Sequence, residues 1–142
     1  MTKKYTTILI AFVFAALHAY GQNANTKVGD MYFKQFDFKK ALGYYGNAIK
    51  KDSSQTYVRQ QIADSYRLLN DWQNAESWYK LLAQDQTTNP LNKMYYAEAL
   101  RANQKYTEAK FAYKSYLATA PMDESVKERI SGLDKVSSLS VD

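Results

Sequence analysis

The chain has 142 residues, 19 of them basic and 14 acidic, for a formal net charge of +5, and it contains no cysteine. No disulfide, thiol nucleophile or thiolate metal site is therefore possible. The one histidine is His18, and the positive charges interleave with negative ones, so there is no basic stripe of the kind nucleic-acid binders carry.

Residues 1–21 read as a secretory signal peptide. Lys3 and Lys4 precede an apolar run over 8–17, about half of the roughly 20 residues that span a bilayer. Ala19 and Gly21 then place small residues at −3 and −1 of a cut before Gln22. No cysteine follows the cut, so a lipid-modified N-terminus is excluded. Loss of Lys3, Lys4 and His18 lowers the net charge from +5 to +3 and removes the commonest general base and metal ligand. A Ser-His-Asp or Cys-His arrangement and a His-based zinc site are excluded with it.

The mature chain repeats itself every 34 residues. Ala41, Ala75 and Ala109 are each followed four residues later by Tyr45, Tyr79 and Tyr113, and each is preceded three residues earlier by Phe38, Trp72 or Tyr106. A period of this length signals stacked supersecondary units. Helix punctuation predicts first helices near 23–35, 56–69 and 90–103 and second helices near 38–51, 72–85 and 106–119. Asn89-Pro90 reads as N-cap and first helical residue, and Pro121 stops the last second helix. Small residues on the first helices (Gly29, Ala63, Ala97) are expected against the second-helix alanines, with Tyr32, Tyr66 and Leu100 one turn away. Gly43 and Gly46 lie inside a second helix, where they either admit a close neighbour or soften the first repeat. Beyond Pro121, Val126, Ile130, Leu133 and Val136 recur at helical spacing, and the segment ends in a polar tail.

These positions resemble the tetratricopeptide repeat, whose 34-residue signature carries small and large residues at the same places. The leading tryptophan of that signature is replaced by Asn25, Arg59 and Lys93, and its closing proline survives only as Pro121. The resemblance implies an all-α fold: an α-solenoid of three helix hairpins (22–55, 56–89, 90–123) and a capping helix with tail over 124–142. A cap with a polar outer face suits such an array. More narrowly, residues 28–42, the Ala19–Gln22 junction and the tyrosine-rich repeats are similar to the N-terminal repeat region of gliding-motility or type IX secretion-associated envelope proteins of the OmpA family. That resemblance implies a periplasmic or outer-membrane-associated location.

The family's ligand face is the concave one, lined by first helices. Its inward positions fall here on Asp30, Asp64 and Glu98. Beside them lie Phe33, Arg67 and Arg101, with Lys34 and Leu68 adjacent, then Gln60 and Met94 (with Thr26), and Tyr57 and Leu91. Acids on this face suit a protein segment's basic or backbone groups, and Phe33, Tyr57, Leu68, Leu91 and Met94 supply apolar contact. The same charges also fit intrahelical pairing of Asp30 with Lys34, Asp64 with Arg67 and Glu98 with Arg101. Family members that grip an acidic C-terminus present lysine and asparagine where this chain has Thr26, Gln60, Asp30 and Asp64, so that mode is not expected.

A second reading uses the tyrosines, of which Tyr44, Tyr95 and Tyr96 are left over from the repeat core, as a platform for glycan or peptidoglycan fragments. Catalysis is not expected, because the acids stand on separate repeats without a nucleotide loop, metal set or oxyanion device. Neither a cofactor nor a metal is called for, and the partner expected is a protein or peptide of the envelope.

Overall fold

Helix, turn and helix alternate through residues 24–139, the part of the chain described by the computed structural model, with side chains to Val136. The helices are α1 (24–34), α2 (Phe38–Lys51), α3 (Thr56–Leu68), α4 (Trp72–Gln84), α5 (Leu91–Ala102), α6 (Tyr106–Leu117) and α7 (Glu124–Leu139). Seven helices and no strand occur among the described residues, and the six repeat helices fall within two residues of their expected bounds. The signal-peptide segment 1–21 lies outside the described residues. At α5 the helix starts at Leu91, so Pro90 and not Asn89 takes the N-cap position; Asn89 Oδ1 accepts from the Leu91 N–H at 2.9 Å from one residue further out.

Each hairpin turns by one device. Phe36, Asn70 and Gln104, spaced by the repeat, have φ of 60°, 56° and 62°. This left-handed residue lets the next N–H reach back into the first helix: Asp37 to the Tyr32 carbonyl (3.0 Å), Asp71 to Tyr66 (2.9 Å) and Lys105 to Leu100 (2.9 Å). Those bonds satisfy carbonyls that the helix end would otherwise leave open. Asp37 and Asp71 then cap the second helix by accepting from the Lys40 and Asn74 N–H groups, both at 3.2 Å. Asparagine tolerates the left-handed region, whereas a bulky phenylalanine is strained there. Phe36 is also 80% exposed, with an edge-on contact to Phe38 at 6.2 Å. Phe36→Asn is therefore expected to stabilise the chain by about 1 kcal/mol, read as a raised urea midpoint with unchanged slope.

The chain divides into two compact units, 1–58 and 59–142. In the first, Ala41, Tyr45 and Ala48 of α2 are fully buried. Gly29 meets the Tyr45 ring: a Cβ there would lie 2.6 Å from it. Tyr32 stacks on Tyr44 at 5.5 Å. Beyond the adjoining backbone of α2 itself, no described atom lies within 4 Å of a Cβ added at Gly43 or Gly46, so neither serves a close approach.

In the second unit two apolar clusters follow the chain. One joins Ala63 to Ala75, Tyr79 and Leu82 of α4 and Ala99 of α5, with Trp72, Trp78 and Tyr95 packed around it. The other joins Ala97 and Leu100 of α5 to Ala109, Tyr113 and Tyr116 of α6 and to Val126 and Leu133 of α7. α7 repeats the first-helix register, since Val126 is buried where Asn92 is and Leu133 where Ala99 is. Ser131 and Asp134, exposed, stand where α5 has buried Ala97 and Leu100. One face of α7 thus covers α6 and the other is polar.

Glu76 ties α4 to the turn between α5 and α6. It accepts from Asn103 Nδ2 at 2.8 Å and Lys105 Nζ at 2.7 Å, while Asn103 also reaches the Trp72 carbonyl at 3.1 Å. Partial burial works to raise the Glu76 pKa, but the bonds from Lys105 and Asn103 outweigh it and hold the group below its ordinary value of 4.5. A depressed carboxylate contributes stability above its unfolded pKa and loses it as pH falls through the folded one. Thermal denaturation from pH 6 down to 3 should accordingly show a shallower acid-side loss for Glu76→Gln than for the parent chain.

Candidate functional site

The repeated acids are held by the repeated tyrosines. Tyr45 Oη donates to Asp30 Oδ1 at 2.7 Å, Tyr79 Oη to Asp64 Oδ1 at 2.5 Å, and Tyr113 Oη to Glu98 Oε1 at 2.6 Å. All three tyrosines have buried rings, and a buried hydroxyl without an acceptor is costly. Each hairpin meets that demand with a carboxylate from its first helix, one register position after the small residue that admits the ring. The alanine–tyrosine register and the acidic ladder are therefore two ends of one packing solution.

In the first unit Asp30 also accepts from Tyr57 Oη at 2.9 Å. The shielding of that hydroxyl and its bond to Asp30 push it up to about 12, although Tyr57 as a whole is 54% exposed. The expected Asp30–Lys34 pair does not form among the described residues, because the short aspartate side chain is aimed at the two tyrosines. Lys34 is exposed, and Phe33 is half-buried edge-on against Phe38 at 5.2 Å.

In the second unit the expected helix pairs do form. Arg67 lies 3.5 Å from Asp64 and Arg101 2.9 Å from Glu98. Arg67 Nε donates to Tyr79 Oη at 3.0 Å, and its guanidinium lies 4.6 Å above the Tyr95 ring. Gln60 Nε2 completes the cluster, donating to Asp64 Oδ2 at 3.2 Å. Burial and the neighbouring Asp64 charge keep the Tyr79 hydroxyl protonated well beyond its ordinary range. Glu98 takes a further partner that the sequence did not suggest, Arg129 of α7, and its side chain is only 12% exposed. Of the apolar candidates, Leu68 (41%) and Leu91 (38%) are exposed, while Met94 is half-buried against the α5–α6–α7 cluster. What these faces offer a ligand is Tyr57 on one unit and Leu68, Leu91 and Arg101 on the other, above acids already engaged.

The tyrosines considered for sugar stacking are packed. Tyr44 stacks on Tyr32, Tyr95 lies 5.4 Å from Tyr79 beneath Arg67, and Tyr96 packs against both clusters. Among the described residues, no group of three or more His, Cys, Asp or Glu is placed to hold a metal ion. No described helix is long and apolar enough to cross a membrane. Sequence reasoning also missed a hollow of about 350 Å³ between α4, α5 and α6.

No family model and no curated protein matches the chain. Solved structures do. The first TPR of Spaghetti (RPAP3) bound to HSP90 peptide SRMEEVD superposes with a TM-score of 0.70 at 21% identity, over 84% of this chain and 94% of that one. The Arabidopsis OM64 TPR domain gives 0.69 at 19%, over 83% and 98%. The second TPR domain of human RPAP3, in complex with HSP70 peptide SGPTIEEVD, gives 0.67 at 17%, over 84% and 97%. At these identities the likeness establishes the fold, which is the all-α tetratricopeptide one.

Proposed function

We propose that the chain is a non-catalytic protein-interaction module, exported to the cell envelope, that holds a partner segment on its first helices. The observation that carries this reading is the fold together with Tyr57, Leu68 and Leu91, large apolar side chains exposed on α3 and α5. Two of the similar solved domains hold peptides. Export rests on residues 1–21, and the narrower envelope role in gliding motility or type IX secretion on the pattern of 28–42.

Ligand choice should differ from that of those neighbours. Their peptides end in acidic residues, and here Asp30, Asp64 and Glu98 occupy the inward positions while Gln60 is bonded to Asp64. Bringing a carboxylate terminus beside a carboxylate is repulsive. Titration with SRMEEVD should give no saturable binding at micromolar concentration; micromolar binding would remove this reading of specificity. The module itself is tested by a photo-crosslinking amino acid at Tyr57, Leu68 or Leu91, with Glu128 on α7 as the control. Discrete adducts with one envelope protein at the first three positions and none at Glu128 are expected, and adducts independent of position would refute the assignment.

A further inference from the structure

The third repeat departs from the other two on the side of α5 opposite Glu98 and Arg101. Counting by the 34-residue period, Tyr44 of α2 and Trp78 of α4 correspond to Ala112 of α6. Tyr44 stacks on Tyr32 of its own first helix with the rings 16° from parallel, and Trp78 packs against the cluster around Ala63 and Tyr79. In the third repeat both partners shrink, to Leu100 and Ala112. A hollow of about 350 Å³ lies there, floored by Leu100, Tyr96 and Ala112; the first repeat is hollowed at the equivalent positions too, but over the stacked rings of Tyr32 and Tyr44. Phe111 forms its α6 wall and is 69% exposed, at a position where the other repeats have Gly43 and Ser77. Lys80 and Lys93 stand on the α4 and α5 rims, and neither is in an ion pair among the described residues. Glu108 stands on the α6 rim.

We propose that this hollow is a second binding site, separate from the first-helix face, and that it takes an aromatic side chain from an acidic segment of a partner protein. The ring sits where Tyr44 and Trp78 sit in their repeats, against Phe111 and over Leu100. A neighbouring carboxylate of the segment meets Lys80 and Lys93. The volume is at the lower end of the range for pockets that enclose a ligand group, and aromatic anchors in such pockets contribute most of the affinity at interfaces. With two lysines on the α4 and α5 rims against Glu108 on the α6 rim, the balance is positive and favours acidic flanks on the lysine side through charge complementarity.

The test is a ¹H–¹⁵N correlation titration of the mature chain with acetyl-Glu-Trp-Glu-amide, compared with acetyl-Glu-Ala-Glu-amide and acetyl-Lys-Trp-Lys-amide. Saturable shifts at millimolar concentration are expected for the first peptide, confined to amides of α4, α5 and α6 around the hollow. Ala112→Trp, which supplies the ring that the other repeats have, should abolish them. Lys80→Gln combined with Lys93→Gln should weaken binding roughly two- to tenfold, and Phe111→Ser should weaken it several-fold. No saturable shift, equal binding of the alanine or lysine peptide, or shifts that survive Ala112→Trp in a folded protein would overturn the proposal. Should Ala112→Trp fail to fold, the surface variants decide: unchanged affinity in both overturns it equally.

Discussion

Tyr79→Ala is expected to cost about 3–5 kcal/mol in equilibrium urea unfolding of the chain, and Tyr79→Phe about 1–2 kcal/mol. The alanine variant removes a ring with no exposed surface from a site walled by Ala63, Ala75 and Leu82, and the surrounding helices cannot close the void completely. The phenylalanine variant keeps the ring and deletes only the hydroxyl that joins Asp64 at 2.5 Å and Arg67 at 3.0 Å. Asp64 retains Gln60 and Arg67, so the loss stays near the value of one charge-assisted hydrogen bond. A Tyr79→Phe variant as damaging as Tyr79→Ala would mean that the hydroxyl, and not the ring, dominates the site.

The second large effect concerns α7. Val126→Asp places a carboxylate where the parent side chain is fully buried against Leu100, Tyr113 and Tyr116. The residues clustered around it are apolar or tyrosine, and a buried charge among them is not sustained. The helix is expected to undock and keep the charge in water, so that the change in free energy is bounded by the docking of α7 alone. Amide exchange in 124–139 should accelerate by roughly a hundredfold, which corresponds to about 2.8 kcal/mol at 1.4 kcal/mol per decade, while α3 and α4 keep their protection. Undocking also withdraws Arg129 from Glu98. Uniform acceleration through α3–α6 would instead show that α7 and the repeats unfold as one unit.

Much of this architecture was legible in the residues. The spacing of Ala41, Ala75 and Ala109 with their tyrosines placed six helices, because small-to-large periodicity reports packing directly. Val126 and Leu133 likewise announced the docking face of α7. The ladder was harder to read. Charged residues three and four apart on a helix predict intrahelical pairs, and two of the three formed, but the tyrosine hydroxyls come from 15 positions down the chain, and only the closed hairpin shows where they point. Arg129 was invisible for the same reason. Phe36 gave no local cue, since a left-handed turn residue is normally glycine or asparagine. Its repeat equivalents Asn70 and Gln104, each at the same step of the period, carried the only signal. The exchange of Tyr44 and Trp78 for Ala112 stood in the alignment of repeats, yet it becomes a cavity only once α4 and α6 lie on either side of α5.

Whether acid and tyrosine close each hairpin together is measured most directly by a double-mutant cycle on Asp64→Ala and Tyr79→Phe in urea unfolding. A coupling of about 1–2 kcal/mol is expected, because the two groups share one hydrogen bond beneath Arg67. Additivity within about 0.3 kcal/mol would contradict the account, because Asp64 would then contribute nothing through Tyr79 to closing the hairpin.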